Sequence, residues 1–301
     1  MSYDKPRSLH ERLGNGRPLL LDAAMGTELE RRGVESRLPL WSARALLDAP
    51  DQVLAVHLEN VEAGADVLTA NTFRTNRRTL EKEGLGDRAA DLTRRAVGLA
   101  RGAAAGTNRL VFVVGCLSPV EDCYRPELAP DLTTLETEHQ SQARALAEAG
   151  VDGLLVETQN SVAELCAAVD AARATGLPVI ASVITDGDGH LLSGEPIQEA
   201  VAALLRRRPE ALGVNCVPAR QVERELRRIA ETAPHARLVA YGNLGPPVDR
   251  ERLHFTDEIA PSDYAELAKD WLDLGARMIG GCCGTTAAHT AALRRLIDSN
   301  V

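Results

Sequence analysis

Three cysteines stand at the ends of two apolar segments of the sequence. Cys216 ends the run that begins at Leu212, and Cys282 and Cys283 end the run that begins at Ala276, with glycines on either side of the pair. Three thiolates suit Zn2+, which prefers tetrahedral sulfur and nitrogen ligands, and three protein ligands leave one position open for a substrate. This placement predicts a catalytic zinc site, and burial as small apolar side chains is the alternative.

Two carboxylates, Asp22 and Glu157, also end apolar segments. A buried carboxylate without a partner is costly, so each must meet a positive charge or hydrogen-bond donors. We interpret both as holding the ammonium group of a substrate, and the alternative is a structural salt bridge with an arginine or a helix N-terminus. Cys116 and Cys166 are interpreted as packing residues, whereas Cys123, in a loop, has no assigned role.

Eight apolar segments of strand length alternate with stretches of helical periodicity. They are rich in Val, Ile and Leu and show little alternation, which is typical of strands covered on both faces. The alternation predicts a parallel sheet, and eight repeats favour a single (β/α)8 TIM barrel over an open doubly wound sheet. The predicted strands are Leu19–Ala24, Val67–Phe73, Leu110–Leu117, Gly153–Thr158, Pro178–Ile184, Leu212–Cys216, Arg237–Gly242 and Ala276–Cys282.

The helical stretches lie between these strands and after the last of them. They are Asp51–Ala63, Asn76–Ala104 with a break near Gly84, Leu132–Ala149, Ser161–Thr175, Ile197–Arg207, Arg220–Thr232, Ser262–Leu274 and Thr286–Asp298. No linker interrupts the pattern, so we expect one barrel domain at 18–301, preceded by a lead-in segment at 1–17. Barrel active sites form at the C-terminal ends of the strands, so the cysteines and carboxylates are expected to converge there.

Composition limits the partners and the compartment. The net charge of -9 argues against nucleic acid, whose phosphates require a basic face. No apolar stretch reaches the length of a membrane span, and the polar N-terminus lacks a signal-peptide core. We expect a cytoplasmic protein with reduced cysteines that acts on small molecules. The sequence leaves the oligomeric state open, and a homo-oligomer is compatible with it.

Five motifs resemble those of the homocysteine S-methyltransferase family, and together they extend over about residues 16–296. The Gly213–Cys216 and Gly280–Thr286 motifs match the two zinc motifs of that family. The remaining matches are the opening motif at 21–27, the second motif at 63–66 with 70–73, and the fourth-strand pair Glu157-Thr158.

This resemblance implies methyl transfer to the thiol of homocysteine, giving methionine. The acceptor thiol would complete the zinc shell, because metal coordination deprotonates a thiol that is mostly protonated when free. The substrate thiolate would then be the nucleophile, with no side chain as a catalytic group. The resemblance also assigns Asp22 and Glu157 to the ammonium group, with Asn215 beside it and Asn71 and Thr72 of the second strand in the same site.

Departures from the family pattern concern the methyl donor. Ala23 stands where relatives often have Gly, Gln159 stands where betaine enzymes have an aromatic residue, and the segment 115–130 lacks a Gly-Pro-Tyr-Gly-Ala run. Betaine favours an aromatic cage, and only Phe73 and Tyr241 are expected at the rim. We therefore expect S-methylmethionine or S-adenosylmethionine as donor. The alternatives are a betaine-type donor, methyl exchange with a separate corrinoid protein, and a non-catalytic thiol sensor.

Overall fold

The structure is a computed structural model that describes residues 8–245, 247–249, 254–255 and 259–299. Eight parallel strands form one sheet, and they are β1 Leu19–Leu20, β2 Val67–Ala70, β3 Phe112–Leu117, β4 Gly153–Gln159, β5 Val179–Val183, β6 Ala211–Pro218, β7 Leu238–Asn243 and β8 Ala276–Gly281. Their order in the sheet is β1-β8-β7-β6-β5-β4-β3-β2. A short antiparallel pair, Pro247–Asp249 with His254–Phe255, lies outside the sheet.

The two ends of the sheet meet, so the sheet closes into a barrel. Leu21 pairs with Val67 in a parallel bridge between the chain after β1 and the start of β2. The Asp22 amide donates to the Val67 carbonyl at 3.0 Å, and the Asp66 amide donates to the Leu20 carbonyl at 2.8 Å. The predicted (β/α)8 barrel is confirmed, with every predicted strand present.

Helices surround the barrel and follow the strands as the sequence pattern predicts. The predicted break near Gly84 separates two helices, with a short 3-10 turn, Gly86–Arg88, between them. No helix in the described part of the chain is both long and apolar enough to cross a bilayer. The helices are α1 Leu9–Gly14, α2 Gly26–Arg31, α3 Ala45–Asp48, α4 Pro50–Glu62, α5 Arg77–Glu81, α6 Ala89–Ala105, α7 Leu132–Glu148, α8 Val162–Arg173, α9 Ile197–Arg207, α10 Ala219–Thr232, α11 Pro261–Asp273 and α12 Ala287–Ser299.

The first strand is shorter than the pattern predicts. The amides of Leu21 and Asp22 still donate to the backbone of neighbouring strands, at Ile279 and Val67. From Ala23 onward the amides bond to side chains, and the strand pairing stops. The Ala23 amide donates to the Asn60 side chain at 3.0 Å, and the Ala24 amide donates to the Thr285 hydroxyl at 3.3 Å. Beyond this point α2, the 3-10 turn Trp41–Arg44 and α3 cover the rim, and the sequence pattern did not predict them.

The described part of the predicted lead-in segment packs against the barrel. Ser8 caps α1 by accepting a hydrogen bond from the Glu11 amide, as short polar residues do at helix starts. Leu9 and Leu13 are buried in one cluster with barrel side chains such as Met278. Helix α1 therefore closes the end of the barrel where the strands begin and leaves the opposite end open to substrates.

Candidate active site

The three cysteines predicted to bind a metal come together at the C-terminal end of the barrel. The Cys216 and Cys282 sulfurs lie 3.4 Å apart, and those of Cys216 and Cys283 lie 4.0 Å apart. All three sulfur atoms lie within 4.8 Å of one another. Strand β8 ends at Gly281, so the adjacent cysteines lie in a turn and need not point to opposite faces. Gly284 completes this turn with a φ of 86°, where a side chain would be strained.

Asn243, at the end of β7, fixes the distance between the two cysteine-bearing strands. Its Nδ2 donates to the Cys216 carbonyl at 2.8 Å, and its Oδ1 accepts from the Cys283 amide at 3.1 Å. Cys216 itself has a φ of 59°. A non-glycine residue in this left-handed region costs about 1–3 kcal/mol and persists only where the surroundings enforce it. The Asn243 hydrogen bonds and the backbone of these strands therefore place the three thiols beside one another.

Hydrogen bonding within the cluster favours one thiolate. Hydrogen bonds from Cys216 and Cys283 lower the pKa of Cys282 to about 5. Donating to Cys282 raises the pKa of Cys216 and contributes to the raised pKa of Cys283, because each thiol keeps its proton for the hydrogen bond. A cluster that already carries one thiolate can hold a metal cation, since thiolate is the form that binds metals.

The two predicted carboxylates line the same cavity as the cysteines. Asp22 accepts a hydrogen bond from the Thr69 amide at 2.9 Å, and Glu157 accepts one from the Tyr241 hydroxyl at 3.0 Å. Burial raises the pKa of each to about 7. Within the described ranges, the His57 ring is the one basic group within 4.0 Å of either carboxylate. Burial lowers the pKa of His57 to about 4, so the ring is neutral.

The other three predicted substrate residues differ in their placement. Asn71 lines the cavity, where its Oδ1 accepts from the Ser42 hydroxyl at 2.7 Å and its Nδ2 donates to the Ser42 carbonyl at 2.8 Å. Thr72 and Asn215 are fully buried behind the lining. The Thr72 hydroxyl bonds to the backbone of Cys116, and Asn215 bonds to side chains and backbone of neighbouring strands.

Aromatic side chains cover more of the cavity than the sequence suggested. The cavity holds about 840 Å³ of empty space, counted to its open mouth. Phe73 and Tyr241 line it as expected, and Trp41 and Tyr124 line it as well. Trp41 packs edge-on against Phe73 with 5.7 Å between ring centroids. Local periodicity gave no signal for Trp41 or Tyr124, because both lie in irregular segments after strands.

Two further cysteines and one arginine also line the cavity, and the sequence had not placed them there. Cys116 is buried at the end of β3, close enough to Glu157 for each group to shift the pKa of the other, and Cys123 lies in the loop that follows. Burial raises the pKa of both thiols, so both are protonated at neutral pH. Arg74 lies beside them. The interpretation of Cys116 as a packing residue thus describes only part of its surroundings.

Comparisons with known proteins identify the family of the chain. The sequence profile of the homocysteine S-methyltransferase family matches residues 19–297. The homocysteine S-methyltransferase of Escherichia coli strain K12 is 32% identical, and the alignment covers 92% of this chain and 94% of that protein. The selenocysteine Se-methyltransferase of Brassica oleracea var. italica is 28% identical, with coverage of 93% and 89%.

A solved structure shows the same architecture. The metallated form of the homocysteine methyltransferase MmuM from Escherichia coli superposes with a TM-score of 0.81 at 29% identity, covering 94% of this chain and 97% of that one. Because the family profile extends over the whole barrel and all the strand ends described above, the chain belongs to the homocysteine S-methyltransferase family.

Proposed function

We propose that the protein transfers a methyl group from a small sulfonium donor to the thiol of homocysteine, giving methionine, with zinc held by Cys216, Cys282 and Cys283. One observation carries this proposal: three thiols and two carboxylates, from four different parts of the chain, face one cavity at the open end of the barrel. The thiols suit a metal that binds sulfur, and the carboxylates suit an ammonium group.

The geometry of the thiols supports zinc as the metal. Tetrahedral zinc with Zn–S bonds of about 2.3 Å places its sulfur ligands about 3.8 Å from one another. The measured separations of 3.4 Å and 4.0 Å bracket this value. When bound, zinc with an open fourth position lowers the pKa of a substrate thiol and so supplies a thiolate at neutral pH.

The side chains around the cavity would orient the acceptor. Asp22 and Glu157 would pair with its ammonium group, which returns both buried carboxylates to the ionised form. Asn71 would line the same subsite. Thr72 and Asn215, whose side chains bond to the surrounding strands, would act by fixing the positions of the residues beside them.

The donor is assigned from charge and leaving-group chemistry. The carbon–sulfur bond to homocysteine forms as the donor's S–CH3 bond breaks, the donor leaves as a neutral thioether, and the thiol proton is released. Charge is neutralised between a sulfonium and a thiolate, and a low-dielectric pocket favours this change. Aromatic faces such as those of Trp41 and Phe73 would attract the donor cation. Since these faces would also attract betaine, the donor test includes it.

The test supplies purified, zinc-loaded protein with isotope-labelled homocysteine and one donor at a time, and detects labelled methionine by mass spectrometry. The label is needed because S-methylmethionine itself becomes methionine when it loses a methyl group. The donors are S-methylmethionine, S-adenosylmethionine, betaine and a methylated corrinoid protein. Methionine formed from either sulfonium supports the whole proposal. Turnover with betaine alone or the corrinoid protein alone contradicts the donor assignment, and no methionine from any donor contradicts the activity.

A further inference from the structure

Arg74, in the segment that follows β2, is a buried cation that pairs with no carboxylate in the described part of the chain. Only 3% of its surface is exposed, yet it lines the cavity that also contains the thiols and carboxylates. One of its terminal nitrogens donates to the Glu121 carbonyl at 2.7 Å. Its Nε is buried and bonds to no group in the described part of the chain. Its guanidinium lies 5.3 Å from the Phe73 ring centroid.

The side chain of Glu121, whose carbonyl accepts from Arg74, is paired with other cations. The Glu121 side chain pairs with Arg78, at 2.6 Å, and with Lys82. Glu121 therefore accepts a hydrogen bond from Arg74 through its backbone carbonyl and not through its carboxylate. The thiols of Cys116 and Cys123, which are close enough to sense its charge, are protonated and do not neutralise it.

A buried charge without a counterion is costly, and an arginine cannot shed its proton. The cavity wall thus carries one uncompensated positive group in addition to the acidic pair of Asp22 and Glu157. An amino acid carries the complementary arrangement, with an ammonium group and a carboxylate on one carbon atom. The planar guanidinium presents parallel N–H donors that match both oxygens of a carboxylate.

We propose that Arg74 is the binding residue for the α-carboxylate of an amino-acid substrate in this cavity. This inference rests on the proposed function, because it takes the substrates to be amino acids. The carboxylate could come from the acceptor or from a sulfonium donor such as S-methylmethionine. Both present the same group, and the experiment separates them.

The experiment measures binding by calorimetry, so it does not require turnover. In the acceptor arm, zinc-loaded protein is titrated with methionine, which carries the acceptor's carboxylate without a reactive thiol, and with 3-(methylthio)propylamine, which lacks the carboxylate. In the donor arm it is titrated with S-methylmethionine and with (3-aminopropyl)dimethylsulfonium. The quantity compared is the ratio of the two dissociation constants within each arm.

We expect the wild-type protein to prefer the carboxylate ligand by roughly 10- to 100-fold in one arm, as for hydrogen bonds to a charged group. Arg74→Met should bring that ratio close to one. Arg74→Lys, which keeps the charge and loses the paired donors, should give an intermediate ratio and serves if the first variant does not fold. Arg78→Met is the matched control, because it removes a contact to the same Glu121 outside the cavity and should leave the ratio unchanged.

Two results would overturn the assignment. The first is a wild-type protein that shows no preference for the carboxylate ligand in either arm. The second is a folded Arg74→Met that keeps the full preference, even if both ligands of each pair bind more weakly, as loss of a purely structural contact would cause. Absence of methionine formation in the donor panel, with the calorimetric ratios as expected, would instead contradict the proposed function and leave the carboxylate site standing.

Discussion

Asn215 of β6 and Thr158 of β4 are joined by two hydrogen bonds across the intervening strand. The Asn215 Nδ2 donates to the Thr158 hydroxyl at 2.7 Å, and its Oδ1 accepts from the Thr158 amide at 2.8 Å. Thr158 has a φ of 59°, in the same left-handed region as Cys216. The pair thus links the residue after Glu157 to the residue before Cys216, so the strand ends that carry this carboxylate and this thiol are held together.

The Asn215 side chain also belongs to a buried network that ends at the Glu157 carboxylate. Ser182 donates to Asn215 Oδ1 at 2.7 Å and lies 2.9 Å from the Tyr241 hydroxyl, which donates to Glu157. We expect Asn215→Leu to lower the free energy of unfolding by about 2–5 kcal/mol, because it leaves several buried groups unpaired. Denaturant titration measures this loss.

Ser182→Ala is the matched control for that substitution. It introduces no charge, removes only the Ser182 bridge between Asn215 and Tyr241, and keeps both hydrogen bonds between Asn215 and Thr158, so it should be less destabilising. Equal stability of Asn215→Leu and the wild type would show that the network contributes little.

Cys216→Ala is expected to remove the metal while preserving the barrel. Purified wild-type protein should carry about one zinc per chain, and the variant should lose it together with more than ~100-fold of the methyl-transfer rate, since even indirect partners of a metal contribute 10- to 100-fold. Metal analysis and circular dichroism check the two halves of this prediction. Cys166→Ala, on α8 and away from the cluster, should retain zinc. Full zinc occupancy in Cys216→Ala would show that the metal binds elsewhere.

Glu157→Gln is expected to weaken homocysteine binding by about 1.5–3 kcal/mol, the range for a hydrogen bond to a charged group. The amide keeps an acceptor for Tyr241 but cannot offset an ammonium charge. The comparison ligand is 4-mercaptobutanoate, which lacks the amino group and should bind both forms of the protein alike. If the substitution weakened both ligands to the same extent, Glu157 would not bind the ammonium group.

Ligand affinity should rise with pH through neutrality. In the free protein the pKa values of Asp22 and Glu157 are both raised to about 7, so at pH 6 the protonated, neutral forms predominate and offer no charge to an ammonium group. Above pH 7 the ionised forms predominate, while an α-ammonium group remains charged. The dissociation constant for methionine, which has no titrating thiol, should fall about tenfold between pH 6 and pH 8 for each carboxylate that must ionise.

Glu157→Gln should flatten this pH dependence by the contribution of one group. A dissociation constant that does not change over this range in the wild type would contradict ammonium binding by either carboxylate.

Trp41 should contribute to binding of the donor cation. Its ring occupies space that exists only because residue 26 is a glycine, since a Cβ at Gly26 would lie 2.2 Å from the ring. We expect Trp41→Leu to raise the KM of the sulfonium donor by roughly 10- to 30-fold, because a desolvated cation–π contact contributes about 2 kcal/mol. Gly26→Ala should act in the same direction by displacing the ring.

Calorimetry with methionine is the control for these two variants, because the acceptor subsite on Asp22 and Glu157 is not altered. An unchanged donor KM in Trp41→Leu would remove the ring from the donor site.

The sequence predicted the barrel and the cysteine cluster because both depend on local patterns. Strands covered on both faces must be continuously apolar, whatever their neighbours, so eight such runs separated by helical periodicity indicate a closed parallel sheet. A strand end then marks the catalytic rim, and that rule placed Cys216, Cys282 and Cys283 beside Asp22 and Glu157. The family motifs strengthened this prediction but did not supply distances.

Tertiary packing alone decided which other side chains reach the cavity. Trp41, Arg74 and Tyr124 lie in connecting segments outside the barrel strands and α-helices. The conformation of such a segment depends on the residues that it packs against, and the sequence shows no periodic pattern from which it could be predicted. The family motif places Asn215 beside the substrate, and Asn243 likewise stands at a strand end. Their amides instead bond between strands, because the tilt of a closed barrel places groups from β4, β6, β7 and the β8 turn within hydrogen-bond distance of one another.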